Sequence, residues 1–196
     1  MDYPRISIVM PSYNQAQYLE IALRSVLEQQ YPALDLIVID GGSTDGSVEV
    51  LRQHADQLAY WVSEKDSGQA DAINKGFARA TGEVMAWLNS DDVYLPGALH
   101  AVGEIFARWP QVEWLTGWDM NIDERGMITT ARRGTPKIRS LIRRGWYHGR
   151  GLGFIRQEST FWRRSLWEKS AVMSTRRSTM AWIMTCGSVS PPVRRW

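Results

Sequence analysis

The sequence predicts an α/β fold, a mainly parallel sheet flanked by helices on both faces, and three observations carry that prediction. Short apolar runs of strand length recur between residues 6 and 116. Segments with apolar residues three or four apart lie between those runs, an alternation that sets successive strands parallel and lays helices over them. Acidic residues gather directly after the runs, at the strand ends where open parallel sheets bind their ligands.

Ile6-Ser7-Ile8-Val9-Met10, ended by Pro11, reads as the first buried strand. Asn14 is placed to cap a helix in which Leu19, Leu23, Val26 and Leu27 share a face before Pro32 stops it. Leu36-Ile37-Val38-Ile39 is the second strand and ends on Asp40. The loop Gly41-Gly42-Ser43-Thr44-Asp45-Gly46 leads to a helix carrying Val48 and Leu51, and a third strand follows around Ala59 to Val62. A helix from about Gln69 to Ala80 puts Ala70, Ile73 and Phe77 on one face. Val84 to Leu88 is the fourth strand, a helix begins after Pro96, and Val112 to Thr116 fits a fifth strand.

Composition narrows the function. A chain of 196 residues at 44% hydrophobic can bury a core of its own. It contains no apolar run of membrane-spanning length, and Met1 to Arg5 leads into a strand rather than a signal peptide, so the expected location is cytoplasmic. The lone Cys186 excludes a disulfide framework, and His54, His100 and His148 are too scattered for a histidine metal cluster. Three familiar phosphate and nucleophile loops are missing: G-x-G-x-x-G after the first strand, G-x-x-x-x-G-K-[ST] and G-x-S-x-G. The Asp40 to Glu49 segment fails as a calcium loop because Gly42 and Thr44 stand where Asp or Asn is needed.

The chemistry is expected at the strand ends. Asp40 closes the second strand, Asp66 follows the third, Asp91 and Asp92 follow the fourth, and Asp119 follows the fifth. Adjacent acidic residues after an apolar strand repel one another unless a cation sits between them. Hard oxygen ligands without Cys or His favour Mg²⁺ or Mn²⁺, and a metal held by one or two carboxylates completes its shell with substrate phosphates and water. A nucleoside diphosphate is the matching partner. Local roles compete with this reading at some positions: Asn14 and Ser67 can be helix caps, and Asp45 a first-turn helix charge. Trp87 reads as core, whereas Trp114 and Trp118 are open as platforms for a sugar.

Four blocks resemble, in order, those of family 2 glycosyltransferases: Ser7-Ile8-Val9-Met10-Pro11-Ser12-Tyr13-Asn14, Val38 to Ser47, Asp66 to Gly76, and Trp87-Leu88-Asn89-Ser90-Asp91-Asp92. The resemblance implies the GT-A fold, a Rossmann-like sheet. It also implies transfer of a sugar, with inversion, from a nucleotide-diphosphate sugar donor to an acceptor hydroxyl with Mn²⁺ or Mg²⁺, as in polysaccharide or glycolipid synthesis. Carried over, Pro11, Tyr13 and Asn14 line the nucleotide pocket, Asp40 hydrogen-bonds the base, and Gly68, Asp71, Asn74 and Lys75 border the ribose and diphosphate. Asp91 faces the ribose or sugar and, with Asp92, holds the metal. Two positions depart from the commonest pattern. Gly41 replaces a second acidic residue, and Ile73-Asn74 replaces an Arg-Asn pair, leaving Lys75 to supply the cation.

Charge divides the chain into three expected parts. Residues 1–130, the donor-binding domain, hold 8 Lys+Arg against 19 Asp+Glu; residues 131–169, a partial acceptor-side region, hold 11 against 2; residues 170–196 hold 4 against none. Arg132, Arg133, Lys137, Arg139, Arg143, Arg144, Arg150, Arg156, Arg163 and Arg164 are interleaved with Ile138, Leu141, Ile142, Trp146 and Tyr147. That pattern suits either a solvated basic face or peripheral contact with an anionic membrane, where the acceptor is a sugar or a lipid-linked molecule; a nucleic-acid partner is not expected.

Gln157 to Arg164 also resembles the family, whose general base stands in an acidic motif further on. Nothing acidic follows Glu168, so Glu158 is the substitute candidate. Residues 170–196 lack Leu, Asp and Glu altogether, and a one-base shift after Lys169 can turn the codons of Thr179 to Ser190 into an acidic string. The expectation is therefore an out-of-frame tail, a chain frameshifted or truncated with respect to the family, and a competing reading as a fragment that binds donor without transferring it.

Overall fold

Eight strands and five α-helices organise the residues described by the computed structural model, 2–123, 126–132, 144 and 155–171. Strands β1 (Ile6–Ser12), β2 (Leu34–Asp40), β3 (Tyr60–Ser63) and β4 (Val84–Trp87) are parallel. With β5 (Trp114–Thr116) and β8 (Thr160–Arg163) they form a six-stranded sheet in the order β3-β2-β1-β4-β8-β5. β8 runs antiparallel to both β4 and β5. β6 (Asp119–Ile122) and β7 (Ile128–Arg132) pair as a separate hairpin. The predicted α/β class and mainly parallel sheet are what the structure shows.

Both faces of the sheet are apolar, and strand alternation divides them cleanly. Ile6, Ile8 and Met10 of β1, Leu36 and Val38 of β2, and Val84 and Ala86 of β4 join one core. It is completed by α1 (Ala16–Leu27), α4 (Ala98–Arg108) and Leu51 of α2 (Ser47–Gln53). The intervening residues, Val9, Ile37, Ile39, Met85 and Trp87, face α3 (Gln69–Arg79) and Leu166 of α5 (Arg164–Ala171). Trp87 is core, as read from sequence, ringed by Phe77 and Trp162. Trp114 stacks on Trp162 with ring centres 6.0 Å apart, while Trp118 is exposed. On α3 the buried face is Ala72, Ile73, Gly76 and Phe77; Ala70, expected on it, is exposed.

Two residues of the basic stretch turn inward. Arg163 donates to the carbonyls of Val112 (2.9 Å) and Phe106 (2.7 Å) and pairs with Glu83; Arg164 donates to Gly82 (2.9 Å) and Ala80 (2.6 Å). They fasten β8 and α5 to the sheet, so the part read as acceptor-side contributes a strand to the main sheet. Arg144 is exposed; Arg133, Lys137, Arg139, Arg143 and Arg150 lie outside the described residues, as does all but the start of the expected tail. No helix among the described residues is long and apolar enough to cross a membrane.

Candidate donor-binding cleft

The parallel strands end on one rim, where the loops that follow them enclose a cleft of about 520 Å³. The β1–α1 connection contributes Pro11, Ser12, Tyr13 and Gln15; β2 contributes Gly41; β3 and α3 contribute Lys65, Asp66, Gly68, Gln69 and Ala72; β4 contributes Asn89, Ser90 and Asp91. Of the residues expected to bind a nucleotide sugar, Pro11, Tyr13, Gly68 and Asp91 line this cleft. Gly68 has φ +103°, a backbone conformation that costs glycine little and turns the chain from the β3 end into α3. The hydroxyl of Ser12 is buried in this wall without a hydrogen-bond partner among the described residues.

Asn14 does not cap α1. It adopts φ +51°, its Oδ1 accepts the Thr44 N–H at 2.9 Å, and its own N–H donates to Ser43 Oγ at 2.8 Å, so it ties the first loop to the second. The cap belongs to Asp45 across the gap, which accepts Ala16 N–H (2.9 Å) at α1 and Ser47 N–H (3.1 Å) at α2. The Ser47 hydroxyl and these amides hold the Asp45 carboxyl below its ordinary range. Ser67 is likewise no cap; its N–H donates to Asp71 at 3.1 Å.

Asp40 lies beneath the cleft with no exposed surface. Its carboxylate accepts the N–H groups of Gly42 (3.1 Å) and Ser43 (2.9 Å) and the hydroxyls of Ser43 and Ser63 (2.6 Å for Ser63). Above it, a Cβ on Gly41 would lie 3.1 Å from Asp66 Oδ2 and 3.2 Å from the Tyr13 ring. The missing side chain at 41 is therefore what lets Asp66 and Tyr13 close on that floor.

At the other end, Asp91 is exposed to the cleft and Asp92 is half-buried behind it. Asp92 Oδ2 accepts from Gln157 Nε2 at 2.8 Å and from Asn89 Nδ2 at 3.2 Å. Burial pushes the Asp92 carboxyl up and the charge of Asp91 adds to it, while the bond from Gln157 opposes the shift. The Tyr94 hydroxyl beside them is pushed up by burial and by the charges of Asp92 and Glu158. Gln157 and Glu158 lie in one 3-10 turn, which the Gln157 bond ties to Asp92. No group of three His, Cys, Asp or Glu among the described residues is placed to hold a metal.

Asp71, Asn74 and Lys75 stand on α3 outside the lining. Lys75 bonds Glu64 at 2.9 Å and meets Asp71 at 3.4 Å, and the bond to Glu64 is the main influence raising its ammonium. Asn74 is exposed. Sequence reading passed over Lys65 and Gln69, which line the cleft, and Gln157. Gln69 bonds Asn89 at 2.7 Å. Each stands beside a residue already singled out, and only the fold shows which neighbour points in.

The model of glycosyl transferase family 2 matches residues 7–168. The chain belongs to glycosyl transferase family 2. It is 40% identical over 105 residues to an uncharacterised glycosyltransferase of Nostoc, covering 52% of this chain and 33% of that protein. It is 32% identical over 136 residues to TuaG of Bacillus subtilis, named as a teichuronic acid biosynthesis glycosyltransferase, covering 68% and 50%. The chain thus spans half or less of the length of these relatives. Among solved structures, S. aureus TarS with UDP-GlcNAc aligns at a TM-score of 0.68 and 15% identity, over 93% of this chain and 53% of that one. The mannosyltransferase PcManGT of Pyrobaculum calidifontis, with GDP-Man and Mn²⁺, aligns at 0.62 and 23%, over 98% and 56%. The fold is accordingly GT-A.

Proposed function

We propose that the cleft binds a nucleotide-diphosphate sugar and that the chain transfers the sugar, with inversion, to an acceptor hydroxyl in the synthesis of a surface polysaccharide or glycolipid. The observation that carries this reading is a single cleft end with Asp91 open and Asp92 behind it, at the carboxyl ends of parallel strands. Proteins of like fold solved with UDP-GlcNAc and with GDP-Man and Mn²⁺ support the ligand class.

Asp91 and Asp92 would hold Mn²⁺ or Mg²⁺, which would supply positive charge against the departing diphosphate. Gln157 and Asn89 orient Asp92, leaving its second oxygen for the cation. Pro11 and Tyr13 form the wall for the nucleoside, and the buried, unpartnered Ser12 hydroxyl offers it a polar contact. Asp40 and Asn14 fix the loops that make this wall, and a direct bond from Asp40 to the base requires one serine to turn away. Asp71, Asn74 and Lys75 act from the rim, where Lys75 trades Glu64 for phosphate. Glu158 takes the acceptor proton. The enzyme works at the cytoplasmic membrane face, with basic residues after 131 against anionic lipid.

The test is calorimetry of UDP and GDP with and without Mn²⁺. Asp92→Asn keeps the shape and the bond from Gln157 but loses charge, so metal-enhanced binding disappears; unchanged metal dependence overturns the assignment. The competing reading is donor binding without transfer. Hydrolysis and transfer assays on the same chain separate the two.

A further inference from the structure

We propose that Asp66, with Lys65 beside it, reads the hydrogen-bonding edge of the donor's nucleobase and selects uracil and guanine over cytosine and adenine. The inference rests on the donor-site reading of the cleft. The acidic pair claims the diphosphate end, which leaves the base at the opposite end, among Tyr13, Gly41, Lys65 and Asp66. The Tyr13 ring there is 63% exposed, a flat face on which a base can stack.

Two carboxylates stand near that end, and only one has capacity to spare. Asp40 is enclosed and surrounded by four donors. Asp66 spends Oδ1 on the Gly68 N–H at 2.8 Å, and its Oδ2 makes no hydrogen bond among the described residues. Oδ2 instead sits beside the bare backbone of Gly41, in space that a side chain there would take. Lys65 is exposed on the same wall without an ion pair among the described residues, whereas Lys75 is held by Glu64 and Asp71.

A carboxylate oxygen only accepts and an ammonium only donates. Uracil presents a ring N–H between two carbonyls, and guanine a ring N–H beside one carbonyl, which is the complement of such a pair. Cytosine and adenine present a ring nitrogen lone pair at that position, and a carboxylate repels it. Selectivity then comes from the mismatch as much as from the match.

The experiment is calorimetry of the 196-residue chain with UDP, GDP, CDP and ADP at fixed Mg²⁺, on the wild type and on Asp66→Asn. UDP and GDP are expected to bind at least about tenfold tighter than CDP and ADP, the scale of one hydrogen bond to a charged group. Asn keeps an acceptor for Gly68 and turns the other position into a donor. The variant therefore loses about tenfold for UDP and gains for CDP, and the ratio between bases moves although the fold does not. Equal binding of all four nucleotides by the wild type, or an unchanged ratio in the variant, overturns this inference and leaves the donor site standing. Failure of all four to bind overturns the donor site itself and this inference with it.

Discussion

At the scale of single residues, the chain separates carboxylates left open at the cleft from carboxylates spent on internal bonds. Asp35 is the plainest of the second kind. Burial would raise its carboxyl, but bonds from Thr81, Arg5 (2.7 Å) and Ser7 (3.0 Å) outweigh burial and hold it below 3.8. The folded state therefore favours the ionised form more than the unfolded chain does. Its stabilisation is complete above the ordinary value and is lost as pH falls through the lower, folded one. Melting temperature should drop as pH is taken from about 5 to about 3. Asp35→Asn should melt lower at pH 7 and show a flatter acid limb; an identical acid limb in the variant removes Asp35 from the account. The same sorting shows what was legible in sequence. Asp91 and Asp92 were readable because two charges side by side after a strand admit few structural uses. Asp40 and Asn14 were readable as important, but their bonding to Ser43, Ser63 and Thr44 depends on loops brought together from different strands.

At the scale of elements, β1, β2 and β4 were legible because strands apolar on both faces leave an unbroken run in the sequence. β6 and β7 were not: Met120 and Ile122 do alternate with Asp119 and Asn121, but the run is only four residues long and the Ile-Thr-Thr-Ala-Arg of β7 shows no such pattern. Nor did any local pattern show that β8 would run antiparallel between β4 and β5; Arg163, reaching carbonyls of residues more than fifty positions away, helps to settle that. α3 comes close to the sheet at Gly76, where an added Cβ would lie 2.3 Å from Val9 Cγ1. Gly→Ala in a helix ordinarily gains up to about 1 kcal/mol of propensity. Here α3 would have to lift from β1, and overpacking a core costs about 1–3 kcal/mol. Gly76→Ala should therefore lower stability in denaturant titration, and it should weaken nucleotide binding too, because α3 carries Gln69 on the cleft wall. A stabilised variant would show that α3 rides loosely on the sheet.

At the scale of the whole molecule, the charge count separates an acidic first part from a basic remainder, and the fold shows that two of the basic side chains in that remainder point inward. Arg163 and Arg164 are held on internal carbonyls, and Arg163 also pairs with Glu83, so neither guanidinium is free to reach out to a surface. The membrane reading thus rests on Arg144, which is exposed, and on the basic residues around it in sequence, Arg139 and Arg143 among them. Near an anionic surface each basic side chain contributes about 1 kcal/mol, and that attraction decays within a Debye length. Vesicles rich in anionic lipid should therefore bind the chain at low salt, release it as salt is raised, and lose much of it to an Arg139→Gln, Arg143→Gln, Arg144→Gln variant. Arg163→Gln should act differently, lowering the melting temperature while leaving the salt dependence of binding unchanged, because its charge is turned inward. Vesicle binding that ignores salt would point to apolar insertion instead, and no binding at low salt would reduce the stretch to a solvated face.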